Sequence, residues 1–451
     1  MRPQRYLWAA MFSASLLWQA SGTTLYVNLN STNPVPPYTD WSTAATNIQD
    51  AVNASTNGDL VLVTNGVYGP HVHVPDAITV QSVNGPTVTA IQGYQVPGTT
   101  NGSGALRCVY LVGNATLVGF TLTNGATGSN GPFSTEAGGG VYCQSTSAVV
   151  SNCIIVKNAA VYGGGSCSGT LINCVLSNNV ALLVGGGDGV GGGSYSGTLN
   201  NCVLVGNSAK SGGAVATDTR ANLNNCTIYG NSASQRGGGL YLSYGGGPGF
   251  LYATNCIIVS NSAPTGSNYF ALSSVITLNC CCTTPLPASG VGNFSSDPLF
   301  TNPAVNDFHL QSNSPCINSG NNTAVAGPTD LDGNPRIVGG TVDVGALEYQ
   351  APTSVISYAW LQQYGLPTDG SADHADLDGT GFNVYQDWIA GLNPTNSLSV
   401  LAMLPPVSTN NPAGLLVSWQ SVSNITYFLQ SSTNPGAHPA FSTIQDRKSV
   451  V

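Results

Sequence analysis

Charge is so scarce along the middle of this chain that the few ionisable side chains there stand out as candidates for chemistry. Between residues 101 and 290 the carboxylates are Glu136, Asp188 and Asp218, the cations are Arg107, Lys157, Lys210, Arg220 and Arg236, and there is no histidine. A Ser/His/Asp nucleophile arrangement therefore has no place within that span. Glycoside hydrolysis needs two carboxyl groups a few Å apart, and Asp188 and Asp218 lie in turns of open register. Eliminative cleavage of a uronate polymer needs a base and a group that neutralises the sugar carboxylate. Asp218, Arg220 and Arg236 are the candidate catalytic group for it, because a shift of about one repeat brings Arg236 near Arg220. The competing reading is that all three are solvated turn charges. His71 and His73 alternate on one face of an early segment and read as exposed polar positions rather than metal ligands.

A second constellation lies further along. From Asp376 to Asp387, in Asp376-Leu377-Asp378-Gly379-Thr380-Gly381-Phe382, oxygen donors fall at positions 1, 3, 5 and 12 and glycine at position 6. That spacing lets one loop wrap a calcium ion. Asp376, Asp378, Thr380 and Asp387 would supply side-chain oxygens, and Phe382 its carbonyl. Threonine stands where Asp or Asn is usual, and Asp387 where a bidentate glutamate is usual. An acidic solvated turn is the alternative.

These residues must be held by a repeat. Asn152-Cys153-Ile154-Ile155 returns as Asn173-Cys174-Val175-Leu176, Asn201-Cys202-Val203-Leu204, Asn225-Cys226-Thr227-Ile228 and Asn255-Cys256-Ile257-Ile258, and Asn279-Cys280 begins a sixth copy. The Cys-to-Cys steps are 21, 28, 24, 30 and 24 residues. Six positions after the first asparagine of each full copy comes another: Asn158, Asn179, Asn207, Asn231 and Asn261. Glycine clusters, often followed by an aromatic, lie between copies, as in Gly191-Gly192-Gly193-Ser194-Tyr195 and Gly237-Gly238-Gly239-Leu240-Tyr241. A period of this length means a solenoid, and the period-two apolar pattern bounded by Asn and Gly makes its elements strands. Like residues then stack over like at roughly 4.8 Å per coil. The repeated asparagine suits a left-handed turn and hydrogen bonds along the stack. Extra turn residues, such as Leu182 to Gly189, bulge out. Val118-Gly119-Phe120-Thr121-Leu122 fits a coil with Phe120 in the cysteine slot.

The cysteines have two readings, a disulfide or metal framework and a column of buried thiols. No CxxC pair occurs, spacings above 20 residues are no zinc pattern, and in-register side chains point in parallel rather than at each other. Cys280-Cys281-Cys282 is a separate case. Alternation sets Cys280 and Cys282 on one face and Cys281 on the other, with a bridge to Cys316 open.

Bulk composition agrees. Charged residues make up 6 % of the 451 residues, against about 25 % in ordinary globular proteins, while 42 % are hydrophobic and 56 are glycine. With 19 acidic against 10 basic side chains, nucleic acid and anionic membrane surfaces are poor partners. Arg2 and Arg5, the apolar run Leu7 to Trp18 and Ala20-Ser21-Gly22 read as a secretory signal peptide over 1–22. No later run reaches transmembrane length. Ala44 to Val52 reads as a short amphipathic helix preceding the strand Asp59-Leu60-Val61-Leu62-Val63. Such a helix would cap the first coil, whose edge is otherwise unpaired. Leu415 to Trp419 and Thr426 to Gln430 look like two strands of an unfinished β-sandwich. Asp446 to Val451 matches a translated sequencing adapter, with an ordinary basic tail as the alternative.

The opening segment resembles secreted pectate-lyase-like β-helix proteins. Asp297-Pro298-Leu299-Phe300, Asp307-Phe308-His309-Leu310, Ser314-Pro315-Cys316-Ile317-Asn318, Asp330-Leu331-Asp332-Gly333-Asn334-Pro335-Arg336 and Val342-Asp343-Val344-Gly345-Ala346-Leu347-Glu348-Tyr349 follow in order. This succession resembles the end of bacterial surface β-helix proteins of the choice-of-anchor Q type. The glycine clusters are more loosely similar to polymorphic outer-membrane proteins, and residues 359–397 resemble a dockerin-like, EF-hand-like repeat. These resemblances imply a secreted or cell-surface protein and name no reaction. The expected fold is all-β: a right-handed parallel β-helix solenoid over 23–349 with an N-terminal capping helix. A linker over 350–358, a calcium segment over 359–397, a truncated β-sandwich module over 398–445 and the tail over 446–451 follow. The expected function is adhesion, glycan binding or scaffolding, with an extracellular polysaccharide, a surface glycan or another cell-surface protein as partner. The alternative is a polysaccharide lyase or glycoside hydrolase acting on pectin-like polymers.

Overall fold

A computed structural model describes residues 22–75, 77–182, 189–243, 249–272, 275–410, 413–420, 422, 430–431 and 442–443. The expected signal peptide before Gly22, Asp188 with most of its bulge, residues 426–429 of the expected second sandwich strand and the tail over 446–451 lie outside the described residues. Among the described residues no helix is long and apolar enough to cross a membrane. The chain divides into two compact units: residues 1–222, 228–251 and 260–276, and residues 223–227, 252–259 and 277–451.

The first unit is a right-handed parallel β-helix. Thr24–Val27, Leu60–Val63, Thr79–Ser82, Thr116–Val118, Val149–Ser151 and Thr170–Ile172 stack in parallel onto the end of Ser194–Asn200. Val72–Val74, Val109–Leu111, Val141–Cys143 and Ser166–Cys167 stack onto its beginning. A second sheet runs through Gly66–Tyr68, Thr89–Gln92, Thr121–Thr123, Ile154–Val156, Val175–Ser177 and Val203–Val205. A third joins Ala159–Ala160, Val180–Ala181, Ser208–Ser211 and Ser232–Arg236. Alternation along these strands turns aliphatic side chains inward in columns, Leu117, Val150, Leu171 and Leu199 in one and Ile91, Leu122, Ile155, Leu176 and Leu204 in another, all fully buried. Burial stabilises by about 1.5–3 kcal/mol for each such side chain.

The two repeated asparagines divide the work that the sequence assigned to one. The first takes the left-handed turn, with φ of 51° at Asn152, 52° at Asn173 and 51° at Asn201. The second forms a buried amide column. Nδ2 of Asn158, Asn179, Asn207, Asn231 and Asn261 donates to Oδ1 of Asn179, Asn207, Asn231, Asn261 and Asn268 in turn, at 2.9–3.0 Å. The same Oδ1 atoms accept the backbone N–H of the preceding asparagine. The glycine clusters mark close approach between coils. A Cβ on Gly192 would collide with the Gly213 and Ser208 carbonyls.

Cys153, Cys174 and Cys202 stack as buried thiols, each donating to the carbonyl two residues back at 3.2–3.3 Å. Phe120 occupies the same slot one coil earlier, since Thr121 pairs with Ile154. The capping helix is Ile48–Ala54, its N-cap Asn47 accepting from Asp50 N–H, with Ile48, Ala51 and Val52 buried.

In the second unit Cys226, Cys256 and Cys281 make the equivalent bond to residue i−2. The sixth copy is therefore shifted by one from the Asn279-Cys280 alignment. Cys280 stands at the left-handed turn with φ 48°, and Cys281 fills the thiol slot. Hydrogen bonding explains the shift, because Asn255 N–H donates to Asn279 O and so lies opposite Cys280. Cys282–Thr283 then pairs with Ile257–Val259.

The blocks after residue 297 are held by buried charge. Asp343 accepts the Asn318 and Tyr349 amides at 2.7 and 2.6 Å. Glu348 accepts those of Val338 and Asp343, both at 3.0 Å. Arg336, 1 % exposed, donates to the Asp343 and Gly345 carbonyls. Ser354 bonds Asp373, and helices Tyr358–Gln363 and Val384–Ala390 follow. Of the expected β-sandwich strands, Leu415 and Leu416 fall in Ala413–Leu416, antiparallel to Val407–Asn410.

Two outcomes are expected. Asn207→Ala removes two donated bonds and strands the Asn179 donors, so it lowers stability by about 3 kcal/mol, read from denaturant unfolding. Burial pushes the Asp343 carboxyl up to about 7, and burial with the Asp343 charge pushes Glu348 up to about 8. Raised carboxyl values stabilise the fold while the proton is held, and that stability is lost as pH climbs through the folded values. The unfolding midpoint should fall as pH rises from the ordinary carboxylate range toward about 7 and 8 and level off above, and Glu348→Gln should flatten the fall.

Candidate functional site

One outward register slot of the first unit carries a line of rings. His73, Tyr110, Tyr142, Cys167 and Tyr195 are successive partners, as are Ala216, Tyr241 and Phe270. They point away from the aliphatic columns because they alternate with residues such as Val109, Val141 and Leu240, which are wholly buried. Ring centroids lie 5.0 Å apart from His73 to Tyr110 and 5.1 Å from Tyr110 to Tyr142. Cys167 is too small to continue the line. Phe133 and Tyr162 pack there instead, 5.8 and 5.5 Å from Tyr195.

Ala216 makes the second break, and its slot neighbours Tyr195 and Tyr241 both line a recess of about 300 Å³. Both tyrosines are buried, at 7 and 6 % exposure. Lys210, Asp218, Gln235 and Arg236 are the more exposed polar side chains of the same recess. Burial, reinforced by the neighbouring Asp218 carboxylate, holds the Tyr195 phenol proton well above the ordinary tyrosine value. The Arg236 guanidinium lies 5.7 Å from the Phe270 ring centre, which fixes its side chain at the rim.

The structure thus brings together two of the three candidate residues. Asp218 and Arg236 line the recess, whereas Arg220 lies over the Phe250 ring at 6.0 Å. The reason is strand geometry, since Arg220 is two residues past Asp218, about 7 Å further along. Sequence reasoning missed Lys210, Tyr195 and Tyr241. The aromatic that often follows a glycine cluster was the signal for the two tyrosines, and Lys210 had none. Among the described lining residues Asp218 is the sole carboxylate, so they offer no carboxylate pair for hydrolysis. His71 has a left-handed φ of 64°. Burial, then the charges of Arg107 and His73, hold its imidazole below the ordinary value.

The acidic loop of the second unit has its own geometry. Asp376 accepts the Gly379 and Gly381 amides at 2.8 and 2.9 Å, and Asp378 accepts the Thr380 hydroxyl at 2.8 Å. Asn383 and Gln386 form a capping box that starts helix Val384–Ala390 and carries Asp387 in its first turn. Asp387 is 1 % exposed, and neither of its carboxylate oxygens has a hydrogen-bond partner; Asp378 Oδ2 is likewise unpartnered. Burial, then the charges of Asp378 and Asp376, push Asp387 up to about 6. Among the described residues no group of three His, Cys, Asp or Glu side chains is arranged to hold a metal. The Phe382 carbonyl and Thr380 hydroxyl are the other oxygens of the loop.

No family model matches the chain, and no curated protein matches it. Solved structures do share its architecture. Pectate lyase Pel9A is 17 % identical over 72 % of this chain and 96 % of its own, with a TM-score of 0.37. Pectin methylesterase PemA from Erwinia chrysanthemi is 12 % identical over 57 % of this chain and 78 % of its own, with a TM-score of 0.31. PfbA, a surface adhesin of Streptococcus pneumoniae, is 12 % identical over 55 % of this chain and 76 % of its own, with a TM-score of 0.23. These likenesses concern the β-helix fold and carry no chemistry to this chain.

The influence of Asp218 on Tyr195 can be tested directly. Asp218→Asn should bring the Tyr195 ionisation down toward the ordinary tyrosine range, read by ultraviolet titration against Tyr195→Phe as the reference.

Proposed function

We propose that this is a secreted or cell-surface β-helix protein that binds a glycan at the Ala216 recess without cleaving it. The carrying observation is the composition of that recess: buried tyrosines beneath a rim of Lys210, Asp218, Gln235 and Arg236. A sugar ring offers an apolar face to aromatic carbon and a belt of hydroxyls to polar groups of both signs, and tyrosine suits such mixed surfaces. A volume of about 300 Å³ is at the small end for ligand pockets and fits one sugar unit. The single described carboxylate favours binding over hydrolysis. In this reading the blocks over 297–349 belong to a surface-display end, as their resemblance to choice-of-anchor proteins implies.

The second reading, a polysaccharide lyase acting on pectin-like polymers, is favoured by one observation, the convergence of Asp218 and Arg236. In the acidic loop we propose a calcium ion held by Asp378, Asp387, Asp376, Thr380 and the Phe382 carbonyl. The unpartnered oxygens of Asp387 and Asp378 support it, because a buried carboxylate without a partner is costly until a cation or proton neutralises it.

A glycan array probed with the full chain should return hits that weaken at least ten-fold, about 1.4 kcal/mol, in both Tyr241→Ala and Arg236→Ala. An empty array would favour a pure scaffold. Release of unsaturated uronate products by the wild type and not by Arg236→Ala would favour the lyase. Calcium at a hundred times its Kd should stabilise the second unit by about 2.7 kcal/mol, read as a rise in Tm over a chelator control. Asp387→Ala should abolish that rise.

A further inference from the structure

The thiols fall into two geometrical kinds. Those of the column, Cys226, Cys256 and Cys281 in the second unit, stack in one direction and donate to their own i−2 carbonyls. Side chains that leave parallel backbones side by side point alike, which is poor geometry for a disulfide. Cys282 is different. It pairs with Ile257, while its neighbour Thr283 pairs with Ile258, so alternation sets Cys282 on the opposite face of its strand from Thr283. That face is covered by the segment from Ser314 to Ala346. Gly345 N–H donates to Asn255 O, Ala346 N–H to Thr227 Oγ1, and Gly345 packs on Ile257.

Cys316 belongs to this covering segment. Its amide donates to Ser314 Oγ at 3.2 Å, and its carbonyl accepts from Val344 N–H at 2.9 Å. Its thiol neighbours that of Cys282, which itself donates to the Ser296 carbonyl at 3.1 Å. Both residues are fully buried. Cys282 therefore belongs to the coil and Cys316 to the segment that covers it, whereas the column thiols all leave stacked coils in parallel.

We infer that Cys282 and Cys316 are a disulfide site, the bridge tying the covering segment to the coil beneath it. The two thiols lose two protons and two electrons as the S–S bond forms. A small disulfide such as oxidised glutathione accepts them in two exchanges through a mixed disulfide and leaves as two thiols. Exchange needs a thiolate, and burial raises the Cys316 thiol well above its ordinary value in the folded state. The bridge therefore forms before the segment docks, and once formed it is shielded from reductant. Residues 283–315 lie within the closed loop, so the bridge restricts the unfolded chain as well.

The test is to refold the full chain in a buffer of oxidised and reduced glutathione, then alkylate it in denaturant with and without prior reduction. Without reduction it should take two fewer labels than its twelve cysteines allow, and peptide mapping should assign the loss to Cys282 and Cys316. In Cys316→Ser every remaining cysteine should label. Complete labelling of a natively refolded wild type overturns the proposal, and so does a bridge mapped to any other pair. The wild-type label count and map decide the matter even where the variant fails to fold.

Discussion

The hydrogen bond from each coil to the next is the interaction on which this molecule depends. A short strand such as Ile154–Val156 has partners only in the coils before and after it. Its backbone groups are satisfied only where those coils keep the same register. Registry then forces identical side-chain positions into columns, and each column must be filled by something that tolerates its own kind as a neighbour. Aliphatic residues do so through packing, and thiols by bonding their own chain. Asparagine does so because its amide both donates and accepts, so the Asn158 to Asn268 column continues without a surplus donor at any step.

The same constraint leaves the outside of the coil free to vary, and there the candidate function arises. Tyrosine stacks on tyrosine well enough to form a line, but nothing in the backbone requires it at every coil. Cys167 and Ala216 break the line. One break is filled by Phe133 and Tyr162, whereas Tyr195 and Tyr241, on either side of the other, line a recess with charge at its rim. A solenoid thus acquires a site by omission, through a small residue where the repeat favours a ring.

The second unit uses different physics. Beyond residue 297 its turns are irregular, and buried carboxylates serve there as acceptors in place of coil-to-coil ladders. Asp330, Asp343 and Glu348 collect backbone amides, and Arg336 balances part of their charge. Desolvation outweighs this compensation, since both Asp343 and Glu348 are raised. The Asp/Arg/Glu spacing that reads as an ordered set of motif blocks is therefore a folding device, and among the described residues Asp378 Oδ2 and both oxygens of Asp387 are the buried carboxylate oxygens left without partners.

The sequence by itself determined the solenoid, its strand composition, the thiol column and Phe120 at its head. Each of these is a consequence of local spacing, and stacking copies that spacing from coil to coil. It also marked the acidic loop, whose oxygens lie within one short segment. Only the tertiary structure decided what insertions and alternation do over distance. The unequal steps between copies conceal register, so Cys281 rather than Cys280 fills the slot and Arg220 separates from Arg236. Likewise Tyr195 and Tyr241 come from the coils on either side of Ala216, with Lys210 on a different strand again, and no spacing along one strand reveals that they share a recess. Their meeting depends on how far each turn bulges before the chain re-enters its ladder, a sum of many small backbone choices that composition and periodicity do not encode.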